Sequence, residues 1–180
     1  DNNMTFFDIG SHVGVYSIIS SKFSDPKYVY AFEPDERRMD RLEKNIEIND
    51  IDVQTYLLAL SSINSVGEFS QDGLLTEDKN GSVNMIKGDN FFDHDKFQSP
   101  DLMKIDAEGL EYEIISGVKN TLQNKQNCVI YIEIHQQDDH KPSIYDYGRS
   151  PEELHSLLTK MGFDIRKIQK RERDYHIKAK

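Results

Sequence analysis

Six residues in a row, Asp106-Ala107-Glu108-Gly109-Leu110-Glu111, place three carboxylates around one glycine directly after the apolar stretch Leu102–Ile105. Carboxylates crowded at the end of a strand are costly unless they meet a cation, a metal or hydrogen-bond donors. Asp106 and Glu108 are therefore candidates to face a positively charged ligand, and helix capping is the plainer role open to Asp106. Farther on, Glu133 and His135 stand two positions apart at the end of Cys128–Ile134. Side chains alternate along a strand, so this acid and this imidazole share one face while Ile132 and Ile134 take the other. Such a pair can remove the proton of an acceptor hydroxyl. The catalytic candidates are His135, first choice as base, with Glu108 and Glu133. Metal binding together with Asp106 and Glu108 is the alternative chemistry, and no metal ligand is assigned.

A second group lies near the start of the chain. Asp8-Ile9-Gly10-Ser11-His12-Val13-Gly14 closes an apolar run and opens a helical one. Glycine lets the backbone turn sharply and approach a ligand, and free N–H groups at a helix start favour anionic groups. The spacing is G-x-x-x-G with an acid two residues earlier, not the G-x-G-x-x-G of dinucleotide folds, and it suits a ligand without a pyrophosphate. Glu33-Pro34 follows the next apolar run, roughly 20 residues beyond the loop, where nucleotide-binding folds place the acid that accepts from ribose hydroxyls. Pro34 and Ala59 offer small apolar surface for a base. Asp8, Gly10, Ser11, Gly14, Glu33, Pro34, Ala59 and Asp106 form the expected cofactor set.

These residues need a scaffold that brings the ends of several strands together. Thr5–Ile9, Tyr28–Phe32, Val53–Leu60, Leu102–Ile105 and Cys128–Ile134 read as strands. Val13–Phe23, Asp35–Asn49 and Glu111–Leu122 have helical spacing, and Asn90–Phe97 is a short helix. Ser61–Gly88 is polar and reads as short antiparallel strands or loop. Ser150-Pro151-Glu152-Glu153 is a helix start, and that helix runs to Met161-Gly162. Phe163–Lys170 and Tyr175–Lys178 then make a hairpin across a charged turn, Arg171–Asp174. Alternation of strand and helix implies an α/β sheet, mostly parallel, with helices on both faces and one antiparallel strand from the C-terminal hairpin. Ligands of such sheets bind outside the carboxyl ends of the strands, where all the residues above fall. His140, Tyr145, Tyr147 and Arg149 read as a surface loop, and His155 and His176 as surface residues.

Composition sets the outer bounds. The chain has 180 residues, 37% hydrophobic and 30% charged, with 32 acids, 22 bases and a net charge of −10. One domain, residues 1–180, accounts for this length, and the start at Asp1 without a methionine suggests a trimmed N-terminus. Excess negative charge excludes phosphate-driven nucleic-acid binding. The basic stretch Arg166–Lys180 reads as solvated strand faces. No apolar run reaches the ~20 residues of a membrane helix. The single cysteine, Cys128, has no internal partner and reads as a buried structural thiol of a reducing compartment, the cytoplasm. Oligomeric state has no signature here.

FFDIGSHVGVYS (6–17), YAFEPDERRMDRLEKNIEIN (30–49), DLMKIDAEGLEYEIISGV (101–118), VIYIEIH (129–135) and GDNFF (88–92) together resemble the FkbM-type methyltransferase family. Ser11-His12 stands where that family usually has Ala-Asn. The resemblance implies a class I methyltransferase fold, Rossmann-like with a seven-stranded sheet, and S-adenosylmethionine as donor. It also implies O-methylation of a hydroxyl on a sugar, glycan or natural-product acceptor. Two other classes stay open on the residues alone: a nicotinamide-dependent oxidoreductase, disfavoured by the missing third glycine, and a non-catalytic cofactor-binding module.

Overall fold

The computed structural model describes residues 4–23, 26, 28–92, 97–124, 127–136, 142–171 and 174–180, with backbone alone at 169–171. In chain order the elements are β1 (Thr5–Ile9), α1 (Val15–Phe23), β2 (Tyr28–Phe32), α2 (Glu36–Asn49), β3 (Gln54–Tyr56), β4 (Ala59–Ser61), β5 (Ser65–Phe69), β6 (Leu75–Glu77), β7 (Val83–Lys87), α3 (Gly88–Phe92), β8 (Leu102–Ile105), α4 (Glu111–Gly117), α5 (Lys119–Gln123), β9 (Val129–Ile134), α6 (Pro151–Lys160), β10 (Ile165–Arg171) and β11 (Asp174–Ala179).

Seven strands form the main sheet in the order β10-β11-β9-β8-β1-β2-β3. β3, β2, β1, β8 and β9 run parallel, and β11 inserts antiparallel between β9 and β10. The order reverses between β1 and β8, so the crevice at the carboxyl ends of β1 and β8 is the switch point where such sheets take their ligands.

Every residue of β1 is buried, the mark of a strand covered on both faces. The alternation along β2 shows what covers each face. Tyr30 and Phe32 join the large core, whereas Ala31 packs with Met39 and Leu42 of α2. The Asp35 side chain accepts from Arg38 N and caps α2, and at Ser150 both halves of a capping box are made with Glu153. Cys128 is fully buried, consistent with a structural thiol.

Three expected elements differ. Val53–Leu60 is two strands in two sheets: β3 pairs with β2, and β4 pairs with β7 of a separate four-stranded sheet ordered β4-β7-β5-β6. A tight turn, Leu58 N to Tyr56 O at 3.0 Å, redirects the chain, and an unbroken apolar run carries no sign of it. Glu111–Leu122 breaks at Val118 into α4 and α5. Gly117 ends α4 pressed against β4, where a Cβ would stand 1.8 Å from the Ser61 carbonyl oxygen. The short helix expected over Asn90–Phe97 begins earlier, at Gly88, and residues 93–96 lie outside the described residues. The polar stretch after Ser61 supplies the second sheet. The terminal hairpin pairs as expected, with Arg171 opposite Asp174.

Candidate active site

The β1–α1 loop is held from three sides. Gly10 N and Ser11 N both donate to the Phe32 carbonyl, at 3.0 and 3.1 Å, and Ser11 Oγ donates to the same oxygen at 3.2 Å. Lys104 Nζ donates to the Gly10 carbonyl at 2.8 Å and lies 3.3 Å from Asp8 Oδ1 and 3.5 Å from Asp106 Oδ2. Gly10 has φ +69°, and a Cβ there would meet the Asp106 carbonyl oxygen at 1.9 Å. Only glycine permits this approach of the β1 and β8 ends.

Glu33 stands at the end of β2 and is 1% exposed. His12 N donates to its Oε2 at 2.8 Å and Asp35 N to its Oε1 at 3.0 Å. Burial pushes this carboxyl above its ordinary value, against the pull of those two N–H groups. Each oxygen keeps a free lone pair, enough to accept from two neighbouring hydroxyls.

Gly10, Glu33, Pro34, Ala59, Asp106 and Glu108 line one cleft of about 820 Å³, within the usual range of small-molecule sites. His12 joins them, together with the apolar wall of Leu58, Leu60, Leu110 and Ile114. Two lining residues other than glycine take left-handed backbone, His12 at φ 52° and Glu108 at φ 46°. Such conformations cost about 1–3 kcal/mol and gather at functional sites. The far rim comes from the β5–β6 turn, residues 70–73, and from Pro142 and Tyr147.

Four members of the expected set stand behind the cleft. Asp8 is fully buried, accepts from Ser17 Oγ at 2.7 Å and anchors Lys104. Ser11 is 4% exposed and spends its hydroxyl on Phe32. Gly14 faces α2, where a Cβ would lie 2.3 Å from Leu42 Cδ1. These three shape the loop from beneath. Glu133 is turned to the terminal hairpin: β11 places His176 opposite it, and His176 Nε2 lies 3.1 Å from Glu133 Oε2. The antiparallel partner strand draws the Glu133 carboxylate off the cleft, and it makes His176 half-buried where a surface residue was expected. His155 pairs likewise, its Nε2 3.2 Å from the Tyr175 hydroxyl.

His135 is 4% exposed. Its Nδ1 lies 2.7 Å from Oε1 of the fully buried Glu111, and its Nε2 lies 3.5 Å from both Asp106 Oδ1 and Glu108 Oε2. Burial alone would lower its pKa. The bond to Glu111 and the charges of Glu111, Glu108 and Asp106 outweigh that and push it up to about 9. A ring shifted this way holds its proton more firmly than a free imidazole. Glu108, 3.5 Å from this ring, stands on the cleft wall.

The loop after β9 is more than surface. Tyr147 accepts from Leu75 N at 3.0 Å and lines the cleft. Burial and nearby carboxylates hold its hydroxyl up at about 12. Arg149 is committed to Glu113 at 3.0 Å and lies over the Tyr112 ring, Tyr145 is exposed, and His140 lies outside the described residues. Glu111, Lys104 and the β5–β6 turn were not assigned from sequence. For Glu111 the available signal was its spacing from Asp106 and Glu108.

The family model for the FkbM methyltransferase domain matches residues 8–165. The hexuronic acid methyltransferase AglP of Haloferax volcanii is 28% identical over 181 residues, covering 92% of this chain and 66% of that protein. The crystal structure of the FkbM methyltransferase from Methylobacillus flagellatus superposes with a TM-score of 0.67 at 15% identity, over 99% of this chain and 44% of that one. M. capricolum TrmK, solved with S-adenosyl-homocysteine, superposes with a TM-score of 0.58 at 13% identity, over 99% of this chain and 62% of that one. The chain thus spans about two thirds of the curated relative and less than half of the first of these structures. S-adenosylmethionine, the donor of such domains, fits the residues present: a buried carboxylate with spare acceptor capacity, a glycine edge without a Cβ, an apolar wall, and Asp106 for positive charge. Sheet order, cleft and sequence match together place this chain in the FkbM methyltransferase family.

Proposed function

We propose that this domain transfers a methyl group from S-adenosylmethionine to an oxygen of a sugar or glycan acceptor. The observation that carries the reading is the meeting of Gly10, Glu33 and Asp106 on one cleft, with Glu108 beside Asp106 on the same wall. Glu33 would take the ribose hydroxyls, Leu58–Leu60 and Pro34 would flank the adenine, and Gly10 and Asp106 would hold the methionine end. When bound, the sulfonium supplies a methyl group already activated for in-line displacement. The chain's own work is then positioning and exclusion of water. Glu108 takes the acceptor's proton, and the His135 imidazolium fixes Glu108 and Asp106 in place. The β5–β6 turn, Pro142 and Tyr147 form the acceptor side.

The sugar acceptor is inferred from the hexuronic acid named for the Haloferax relative and from the polar far rim. No helix among the described residues is long and apolar enough to cross a membrane, and the buried thiol of Cys128 suits a reducing compartment such as the cytoplasm. A transfer assay with methyl-labelled donor over sugars, glycolipids and hydroxylated small molecules tests the reading. Label appearing in a sugar is the expected result. Tight donor binding with no transfer to any oxygen acceptor would overturn the acceptor assignment.

A further inference from the structure

We propose that Glu133, His135 and Asp174 bind a divalent first-row ion, manganese or zinc, where the β9–β11 ladder meets the cleft. The inference goes beyond methyl transfer and does not depend on it. Donor atoms of these three side chains all lie within 4.8 Å of one another. The register explains why. β11 sets His176 opposite Glu133, and two residues farther the same antiparallel course brings Asp174 alongside His135, where Asp174 Oδ1 accepts from Gln136 N at 3.0 Å. Glu133, His135 and Asp174 therefore occupy one face of a two-stranded ladder, at positions an ion could bridge with small side-chain rotations. Metal–ligand distances of about 2.0–2.2 Å require that closure, and because a ligating imidazole must be neutral, the ion takes the place of a proton on His135. Glu133 and Asp174 are only partly buried, and each has a second carboxylate oxygen besides the one bonded to His176 or to Gln136 N.

Two further observations point to an ion. His135 has its Nδ1 tied to the fully buried Glu111 at 2.7 Å. A carboxylate behind an imidazole fixes the ring and directs the other nitrogen outward, the outer arrangement that metal-bound histidines commonly have. That other nitrogen, Nε2, faces carboxylates: Asp106 and Glu108 are each 3.5 Å away. Counting Glu111, Glu133 and Asp174, five carboxylates gather around one imidazole, a concentration of negative charge that a divalent ion offsets. His176 adds a second imidazole beside the group. Its Nε2 is 3.1 Å from Glu133, and its Nδ1 is buried with no hydrogen-bond partner. A donor set of imidazole with carboxylates favours manganese or zinc over calcium or magnesium, which prefer oxygen alone.

The test is calorimetric titration of the chelator-treated, exhaustively dialysed chain with manganese chloride and, separately, zinc chloride. Neither donor nor acceptor is needed, so failure of the methyl-transfer reading would leave the result interpretable. One saturable equivalent per chain is expected, weakened at least tenfold in Asp174→Asn and in Glu133→Gln variants that keep the wild-type circular dichroism. In the wild-type chain, manganese should broaden the imidazole resonances of His135 and His176 and spare those of His12 and His155. That measurement decides the matter if a variant fails to fold. Absence of saturable binding by either ion, unchanged affinity in both variants, or broadening centred on other residues would overturn the proposal.

Discussion

Glu111 and His135 form a buried pair: the carboxylate is fully buried, the ring is 4% exposed, and 2.7 Å separates Oε1 from Nδ1. The same oxygen accepts from Gly109 N at 3.0 Å, so one carboxylate orients both the ring and the turn that carries Glu108. Removing one partner of a buried pair leaves the other uncompensated, at about 3–5 kcal/mol. Glu111→Ala should lower stability on that scale, and Glu111→Gln, which can still bond the ring, by less. Urea unfolding of both variants checks the order. Equal and small losses would mean that the pair does not organise this end of the sheet.

Gly10→Ala should be far worse than an ordinary surface substitution. Left-handed backbone costs an L-residue about 1–2 kcal/mol, and the new methyl would fall 1.9 Å from the Asp106 carbonyl oxygen. The β1 and β8 ends must then separate. Donor affinity should fall more than tenfold with the stability loss, by calorimetry and thermal melting. A variant that binds the donor normally would contradict the close approach described above.

Glu33→Ala should weaken S-adenosylmethionine binding by about 10–100-fold, since hydrogen bonds to a charged group are worth about 1.5–3 kcal/mol each. The pH dependence has a definite sign. Burial raises the Glu33 carboxyl above its ordinary value, so protonation favours the folded chain: its contribution to stability is present at low pH and is lost as pH rises through the folded value. Donor binding runs the other way, because the neutral acid is a weaker acceptor. Affinity should decline on acidification at a pH higher than a solvent-exposed glutamate would give, and Glu33→Gln should flatten that decline. Calorimetric titrations from pH 7 downward measure both.

Tyr147→Phe removes the acceptor of the Leu75 N–H and leaves a buried donor unpaired, at about 1–3 kcal/mol. The bond at 3.0 Å joins the loop after β9 to the small sheet at the far rim of the cleft, the side proposed above for the acceptor. Acceptor KM should rise severalfold while donor affinity holds. An unchanged KM would remove Tyr147 from the acceptor wall.

Much of this architecture could be read from residue order, and the failures have physical causes. Strands β1, β2, β8 and β9 are short apolar runs closed by Gly10, Pro34 and the acidic turn, so their ends, and hence Gly10, Glu33 and Asp106, fell in place. Val53–Leu60 looked like one strand because periodicity reports burial and not which sheet supplies the hydrogen bonds; β4 is buried in a different sheet from β3. Asp8 and Glu133 looked like ligand-facing acids because charge at a strand end has two outlets, solvent-side ligand or internal partner. The partners, Lys104 and His176, come from neighbouring strands that a linear reading does not align. In the sequence Glu111 is simply the third acid of the cluster after β8. Its link to His135 spans 24 residues and arises only when β8 and β9 lie side by side.

The two sheets meet at the cleft. Leu58–Leu60 enters it from β4 and the turn before it, Phe69–Gly73 from the β5–β6 hairpin, while Gly10, Glu33 and Asp106 belong to the ends of the larger sheet. Any molecule lodged between them acts as mortar as well as reagent. Residues 59–87 should therefore exchange their amide hydrogens more slowly when the donor is present than when it is absent, and the smaller sheet should be the first to loosen as the domain empties after each turnover.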